Sequence, residues 1–290
     1  MDKIDSLKIT KQIMASNHIY AKKSYGQNFL IDDDVLQKIV DSADISNSDL
    51  VIEIGPGLGN LTHYLLSTGC KVLAFEIDTD VIQILKQRFN GYEGQLEIIN
   101  KDILEVDLNE YIKPDTTVKV VANLPYYITT PIIFKLFEYK QIIDEIIVMV
   151  QKEVADRILS SEKSKEYSVL TIMTNYLADT ARVVNVPNTS FIPAPNVNSS
   201  VIMLKLNKQK TEKYGILNEN VFKSVVKAAF FARRKKAINS IQLSNIFTIS
   251  KLDLEQIFSI LDISLNARAE EITIEKYACL SNEIYKKIKS

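Results

Sequence analysis

The stretch that most limits what this chain can fold into is Leu50-Val51-Ile52-Glu53-Ile54 followed at once by Gly55-Pro56-Gly57-Leu58-Gly59. Five residues, apolar but for Glu53, read as a buried strand. Leu61 to Leu66 reads as the helix that follows the turn. Strand, glycine-rich turn and helix form the front half of a βαβ unit that binds nucleotides. Glycine suits such a turn because a Cβ would hold the backbone away from a ligand. The spacing is G-x-G-x-G rather than G-x-G-x-x-G, so a tight turn with a purely structural role stays open on this evidence.

Further strands follow at the intervals that a parallel sheet needs. Lys71 to Phe75 ends at Glu76, 21 residues past Gly55. An acidic residue there can accept both hydroxyls of a ribose. Asp78 is placed to cap the next helix, over Val81 to Phe89. Leu96 to Ile99 runs into Asn100-Lys101-Asp102, and a carboxylate at that strand tip can accept a hydrogen bond from an adenine amino group, or simply cap a turn. Val118 to Val121 leads into Asn123-Leu124-Pro125-Tyr126. Pro125 stiffens this turn and disfavours helical geometry at Leu124. The turn then offers the Asn123 amide oxygen and the Leu124 carbonyl as acceptors beside the flat ring of Tyr126. Two acceptors next to an aromatic plate suit a planar ring with an exocyclic amine, such as adenine; an ordinary Asx-Pro turn would look the same in isolation. These candidate groups all fall at C-terminal strand ends, the edge where open parallel sheets bind ligands.

Elsewhere the reading is coarser. Residues 4–19 give at most a weakly amphipathic helix, from Ile4, Leu7, Ile13 and Met14. Lys22-Lys23-Ser24-Tyr25-Gly26-Gln27-Asn28-Phe29-Leu30 reads as a loop, and 33–43 as a helix. Thr129-Thr130-Pro131 opens a helix, Glu145 to Val150 is a fifth strand, and helices follow at about 151–160 and 167–178. Residues 181–186 and 199–206 read as two last strands close enough to pair antiparallel. Between them, Pro193 and Pro195 make a rigid loop that can hold Phe191 near the ligand edge. Asn207 to Leu217 is polar and lysine-rich and reads as a boundary, giving domains at 1–207 and 208–290. The second is helical throughout, over 219–231, 234–243, 250–261 and 273–288.

Composition narrows the class. Apolar residues make up 46% and charged residues 24% of the 290, an ordinary globular balance. The sequence has no apolar run long enough to span a membrane, and Met1-Asp2-Lys3-Ile4-Asp5 lacks a leader pattern. Two cysteines and two histidines supply neither a disulfide framework nor a metal set. The expectation is a cytoplasmic, metal-free protein. The net charge of −1 hides an asymmetry: residues 191–290 hold 16 Lys and Arg against 9 Asp and Glu. The densest run is Arg233-Arg234-Lys235-Lys236, after Phe230 and Phe231. Four consecutive cations cannot share one helix face, so a turn is expected, and contact with nucleic-acid phosphate is favoured over a solvated surface.

Taken together these pieces resemble the ribosomal RNA small-subunit (16S) adenine N6,N6-dimethyltransferases of the KsgA/RsmA type. The matching residues are Gln27-Asn28-Phe29-Leu30, Glu53 to Gly59, Glu76-Ile77-Asp78, Asp102 and Asn123 to Pro131. They continue with the Phe191-x-Pro193-x-Pro195-x-Val197-x-Ser199-x-Val201 run, Arg233-Arg234-Lys235 and Arg268-Ala269-Glu270. The resemblance implies an α/β class I methyltransferase fold, Rossmann-like, with a mostly parallel seven-stranded sheet containing one antiparallel strand, and a small C-terminal all-helical domain. It implies S-adenosylmethionine as cofactor, lined by Asn28, Leu30, Gly55, Gly57, Glu76, Asp102 and Asn123. It implies a catalytic group of Asn123, Leu124, Pro125 and Tyr126, with Phe191 as a second plate for the base. The implied partner is 16S rRNA in an immature small ribosomal subunit, met by a monomer through Arg233, Arg234, Lys235 and Lys236. One departure is Asn100-Lys101-Asp102, where glycine is expected before the aspartate.

Three other readings compete. A 23S rRNA adenine methyltransferase of the macrolide-resistance kind shares the fold and most motifs; Tyr127 to Pro131 and the long helical C-terminal part favour the 16S kind. An assembly checkpoint would bind the particle with methylation secondary. A nicotinamide dehydrogenase would need a G-x-G-x-x-G turn and an acid–base residue that the pattern does not offer.

Overall fold

A computed structural model describes residues 4–22, 25–113 and 116–289; Met1 to Lys3, and Lys23 and Ser24 of the loop noted above, lie outside them. The chain opens with helix α1 (Ser6–Ser16), a two-residue strand β1 (Phe29–Leu30) and helix α2 (Asp33–Ser42). Alternating strands and helices follow: β2 (Leu50–Ile54), α3 (Asn60–Leu66), β3 (Lys71–Glu76), α4 (Thr79–Arg88), β4 (Leu96–Asn100), β5 (Val118–Asn123), α5 (Thr129–Glu138) and β6 (Ile143–Gln151). Next come α6 (Lys152–Ile158), α7 (Val169–Leu177), β7 (Ala178–Val186), the two-residue β8 (Phe191–Ile192) and β9 (Ser199–Leu206). Five helices end the chain: α8 (Lys208–Lys213), α9 (Glu219–Phe230), α10 (Ala237–Ser244), α11 (Lys251–Ile260) and α12 (Ile274–Lys289).

The seven-stranded sheet has the order β4-β3-β2-β5-β6-β9-β7. Strands β4, β3, β2, β5 and β6 are mutually parallel, as their apolar runs separated by helical segments predict. All five residues of β2 are buried, the mark of a central strand covered on both faces. Strand β9 runs antiparallel to β6, from Glu145 opposite Lys205 to Gln151 opposite Ser199. A small antiparallel pair joins β1 to β8, with Leu30 opposite Phe191. Two-residue strands carry no periodicity, which is why the sequence reading left both segments as loop.

The chain divides into two compact units: one takes residues up to Ala155 and again Thr180–Leu206, the other Asp156–Asp179 and Asn207–Ser290. The boundary near 207 read from composition is therefore one of three crossings. Residues 156–179 join the second unit because α7 carries a wide buried surface within it. The Tyr176 ring centre lies 5.0 Å from that of Phe222, and the Tyr176 hydroxyl donates to Glu219 at 2.8 Å. The polar segment after 207 is also more ordered than its composition suggests. Asn207 caps α8 by accepting from the Lys210 N–H, and Lys210 Nζ ion-pairs with Asp179 at 2.9 Å. No helix among the described residues is long and apolar enough to cross a membrane.

Candidate active site

A cleft opens at the C-terminal ends of β2, β3, β4 and β5. It is lined by the glycine turn, the tips carrying Glu76 and Asp102, and the Asn123 turn. Its empty space is about 1020 Å³, open mouth included. The glycine turn is shaped by packing as much as by approach to a ligand. Gly57 has φ +55°, and a Cβ there would meet the Phe29 ring at 3.1 Å. Gly59 caps α3 at φ +84°, and a Cβ there would strike Phe89 at 2.5 Å.

Glu76 lies at the tip of β3 with its carboxylate folded back on its own loop. Oε1 accepts from the Ile77 and Asp78 N–H groups at 2.8 and 2.9 Å. Burial pushes this carboxyl up, and those N–H groups, with that of Gly57, oppose the rise. Asp102 is half-buried; Oδ1 accepts from the Leu104 N–H at 2.9 Å, and Oδ2 accepts nothing among the described residues. Capping a turn and facing the cleft are thus one arrangement, not alternatives.

Residues 25–28, just before β1, line the cleft as a strap tied to the loop after Glu76. Lys22 Nζ and Gln27 Nε2 both donate to the Asp78 carboxylate, at 2.8 and 2.9 Å. Burial alone would raise the Asp78 carboxyl; these two donors outweigh it and hold the pKa below its ordinary value. Further along, the Leu30 carbonyl accepts from Asn60 Nδ2 at 2.8 Å. The same amide donates to Thr10 of α1 and accepts from Arg88 of α4, at 2.8 and 3.0 Å. Asn60 thereby ties strap, N-terminal helix and glycine turn together. Sequence reading missed it, as it missed why α1 exists: the residues α1 buries are Ser6 and Thr10, not the apolar ones.

Beneath the turn, Glu53 is fully buried. Its Oε2 accepts from the Thr62 hydroxyl at 2.7 Å, while Oε1 has no partner among the described residues. Burial pushes this carboxyl up to about 8; the Thr62 hydroxyl works against that, Glu76 adds to it, and Arg88 opposes it.

The Asn123 turn is the best-determined corner. Asn123 Nδ2 donates to the Asn28 carbonyl of the strap at 3.1 Å. A carbonyl can only accept, so it fixes which end of the amide is which. Oδ1 is left as an unpaired acceptor, as is the Leu124 carbonyl among the described residues. The Leu124 side chain is buried, and its N–H donates to the Met149 carbonyl at 3.1 Å. Pro125 holds extended geometry at φ −59°, ψ 128°. The half-buried Tyr126 lines the cleft with its hydroxyl 2.6 Å from Ser199 Oγ. Phe191 is not at the cleft. It is 3% exposed, packed in the core with Leu30 and Val201. The pairing of β8 with β1 turns it inward, so the second plate expected from it has no place in this geometry.

The comparisons with known proteins bear on the whole chain. A family model described as ribosomal RNA adenine dimethylase matches residues 19–286.

The chain belongs to that family.

A ribosomal RNA small subunit methyltransferase A from Alkaliphilus oremlandii is 41% identical over 291 residues, covering 99% of this chain and 100% of that protein. A dimethyladenosine transferase from Plasmodium falciparum superposes with a TM-score of 0.72 at 28% identity, covering 88% of this chain and 97% of that one. The 23S rRNA methyltransferase ErmE superposes with a TM-score of 0.64 at 23% identity, covering 89% and 100%, and shares the fold.

The family is S-adenosylmethionine-dependent, and the residues that line the cleft fit that cofactor. Of the titratable side chains lining it among the described residues, Glu76 and Asp102 are acids, Glu53 keeps its proton near neutral pH, and Lys101 is a cation. An acid-lined cleft suits a ligand carrying a sulfonium and an ammonium group. Glu76 and Asp102 put carboxylates at neighbouring strand tips, able to accept from ribose hydroxyls and an adenine amine, and Glu53 Oε1 has no partner among the described residues.

The basic run lies in the second unit, in a turn between α9 and α10, and all four cations are exposed. Their surroundings differ. One guanidinium nitrogen of Arg233 donates to the Lys165 and Tyr167 carbonyls at 2.8 and 3.2 Å. Lys236 Nζ donates to Asn266 at 2.6 Å. The Arg234 and Lys235 side chains have no hydrogen-bond or ion-pair partner among the described residues.

Proposed function

We propose that this dimethylase acts on two adjacent adenines in the 3′-terminal hairpin loop of 16S rRNA, in an immature small subunit, giving N6,N6-dimethyladenine. It works there as a cytoplasmic monomer in small-subunit biogenesis. The carrying observation is the Asn123 amide, held by the Asn28 carbonyl so that Oδ1 stands free beside the Leu124 carbonyl and the Tyr126 ring. The name of the full-length Alkaliphilus relative supports the small-subunit substrate.

Bound S-adenosylmethionine supplies an electrophilic methyl carbon. The adenine amine is a poor nucleophile, because its lone pair is drawn into the ring. Asn123 Oδ1 and the Leu124 carbonyl accept its two N–H bonds, which favours a pyramidal nitrogen and aims the lone pair outward. This is catalysis by orientation and placed dipoles. The amine becomes acidic as it is alkylated, so a weak acceptor suffices for its proton. For the second transfer one N–H remains, and one acceptor still orients it. Tyr126 stacks on the base once it has left its own stack, a contact worth roughly 1–3 kcal/mol. Arg234 and Lys235 supply the sequence-independent attraction to phosphate.

The test is to incubate the protein with methyl-labelled S-adenosylmethionine and separated 30S and 50S particles from a strain lacking the activity. Label should enter 30S particles alone and emerge from digested 16S rRNA as dimethyladenosine. Label in 50S particles would move the assignment to 23S rRNA.

A further inference from the structure

Tyr126 and Ser199 are 73 residues apart in the chain, yet their hydroxyls meet at 2.6 Å. Sheet topology brings this about. In a parallel sheet the ligand edge is built from strand ends. Because β9 runs antiparallel to β6, it delivers its first residue to that edge: Ser199 pairs with Gln151, the last residue of β6. Asn123, the last residue of β5, pairs with Met149 of β6, whose carbonyl also takes the Leu124 N–H. The acceptor turn and Ser199 thus flank the end of one strand, on opposite sides. Ser199 is fully buried, whereas the Tyr126 ring reaches the cleft.

We infer that Ser199 is the positioning residue of the base-binding plate: it sets the angle of the Tyr126 ring before the substrate arrives. The inference rests on the methyltransferase reading above and deepens it. A tyrosine ring is set by two side-chain torsions: anchoring the hydroxyl fixes where the ring axis ends, and the preference of a phenol for hydrogen bonds in its own ring plane sets the turn about that axis. In that sheltered setting a hydrogen bond holds more firmly than in water. Burial also pushes the Tyr126 phenol up, although the Ser199 bond opposes this, so the ring keeps its O–H through the neutral range. Phe191 lies in the core, so no second plate from that loop corrects a misaligned ring. The anchored hydroxyl faces Ser199, which leaves the ring face to meet the base. A face does not count substituents on N6, so adenine and N6-methyladenine stack alike, as two successive transfers require.

The experiment is a double-mutant cycle on Tyr126→Phe and Ser199→Ala, with Ser199→Thr as the rescue. Initial rates are measured on 30S particles at saturating cofactor, cofactor affinity by calorimetry, and products as mono- against dimethyladenosine. Each single variant should lower kcat by about tenfold, as a slightly misplaced group does. The double variant should be no worse than either single one, because both remove the same bond. Cofactor affinity should stay within about twofold, since the bond joins Tyr126 to Ser199 and to none of the side chains assigned to the cofactor. Ser199→Thr should recover most of the rate, and both hydroxyl-deleted variants should accumulate monomethyladenosine. Additive losses, a Tyr126→Phe enzyme at the wild-type rate, or a matching fall in cofactor affinity would each overturn the inference. If Ser199→Ala does not fold, Tyr126→Phe decides alone, through kcat against cofactor affinity. A wild-type protein that labels no 30S particle overturns the functional reading itself, whereas an active one with additive losses overturns only the role of Ser199.

Discussion

The cleft of the first unit and the basic turn of the second use polar side chains in opposite ways. In the cleft, the candidate groups are each held in place: Asn123 by the strap carbonyl, Glu76 by its own loop, Tyr126 by Ser199. In the turn, two of four cations are held, and the two that stay unpartnered are the ones suited to phosphate. Methyl transfer depends on placement to a fraction of an ångström, so its groups are fixed in advance. Attraction to an RNA backbone depends on charge and tolerates mobile side chains. Adjacent letters in the run Arg233 to Lys236 thus conceal two different surroundings.

The largest expected effect tests the fixed side of this contrast. Asn123→Ala should lower methyl transfer by roughly 10²-fold or more at saturating cofactor, as loss of one placed polar group does elsewhere. Binding to 30S particles should survive, because phosphate contacts supply most of it. Near-wild-type turnover would remove Asn123 from the mechanism, whereas loss of turnover with retained particle binding and stalled assembly would reveal a second, checkpoint role. Next in size, Glu76→Ala should weaken S-adenosylmethionine binding by about 1.5–3 kcal/mol, the worth of hydrogen bonds to a charged group. Calorimetry reads this directly, and unchanged affinity would move the ribose elsewhere.

The mobile side is tested by splitting the basic run. Arg234→Gln with Lys235→Gln should flatten the salt dependence of particle binding by up to about 0.7–0.9 log unit per lost contact. Arg233→Gln with Lys236→Gln should leave the slope alone and lower the melting temperature instead. Equal slopes for the two pairs would erase the distinction between strut and contact. The smallest effect concerns Glu53, whose folded pKa of about 8 stands above its ordinary 4.5. A raised carboxyl binds its proton more tightly when folded. Its stabilising contribution is therefore fully present below about 4.5 and is lost as pH rises through about 8. Glu53→Gln keeps an acceptor for Thr62 without a titrating proton. The wild-type melting temperature should fall more steeply than the variant's between about pH 4.5 and 8, at about 2–4 °C per kcal/mol, and run parallel to it above that. Parallel curves throughout would mean that Glu53 does not titrate in this range.

The parallel strands were legible because each is a mostly apolar segment of five or more residues ending at a polar tip, and Glu76, Asn123 and, just past its strand, Asp102 stand at those tips. What stayed hidden was direction and partnership. Helix α1 buries Ser6 and Thr10, so its hydrophobic pattern understated it. Phe191 sits on a loop rich in proline and looked available, yet two ladder residues turn it into the core. Asn60 is one amide after a glycine, and only the fold brings Thr10, Leu30 and Arg88 to it. Nothing in the letters separates Arg233 from Arg234; the carbonyls of Lys165 and Tyr167, far upstream, do that.

The second unit borrows residues 156–179 from the middle of the chain. Neither unit is a continuous piece of sequence, and neither can be cut out with one pair of scissors. A fragment starting at 208 lacks α7, and with it the partner of Glu219 and the ring beside Phe222. A fragment ending at 207 keeps α7 but strips away what covers Tyr167, which is 1% exposed and donates to the Ile272 carbonyl. During synthesis, α7 is made more than forty residues ahead of Phe222 and more than ninety ahead of Ile272. Its apolar face waits on residues that far downstream, so the second unit closes long after the segment it borrows has been made.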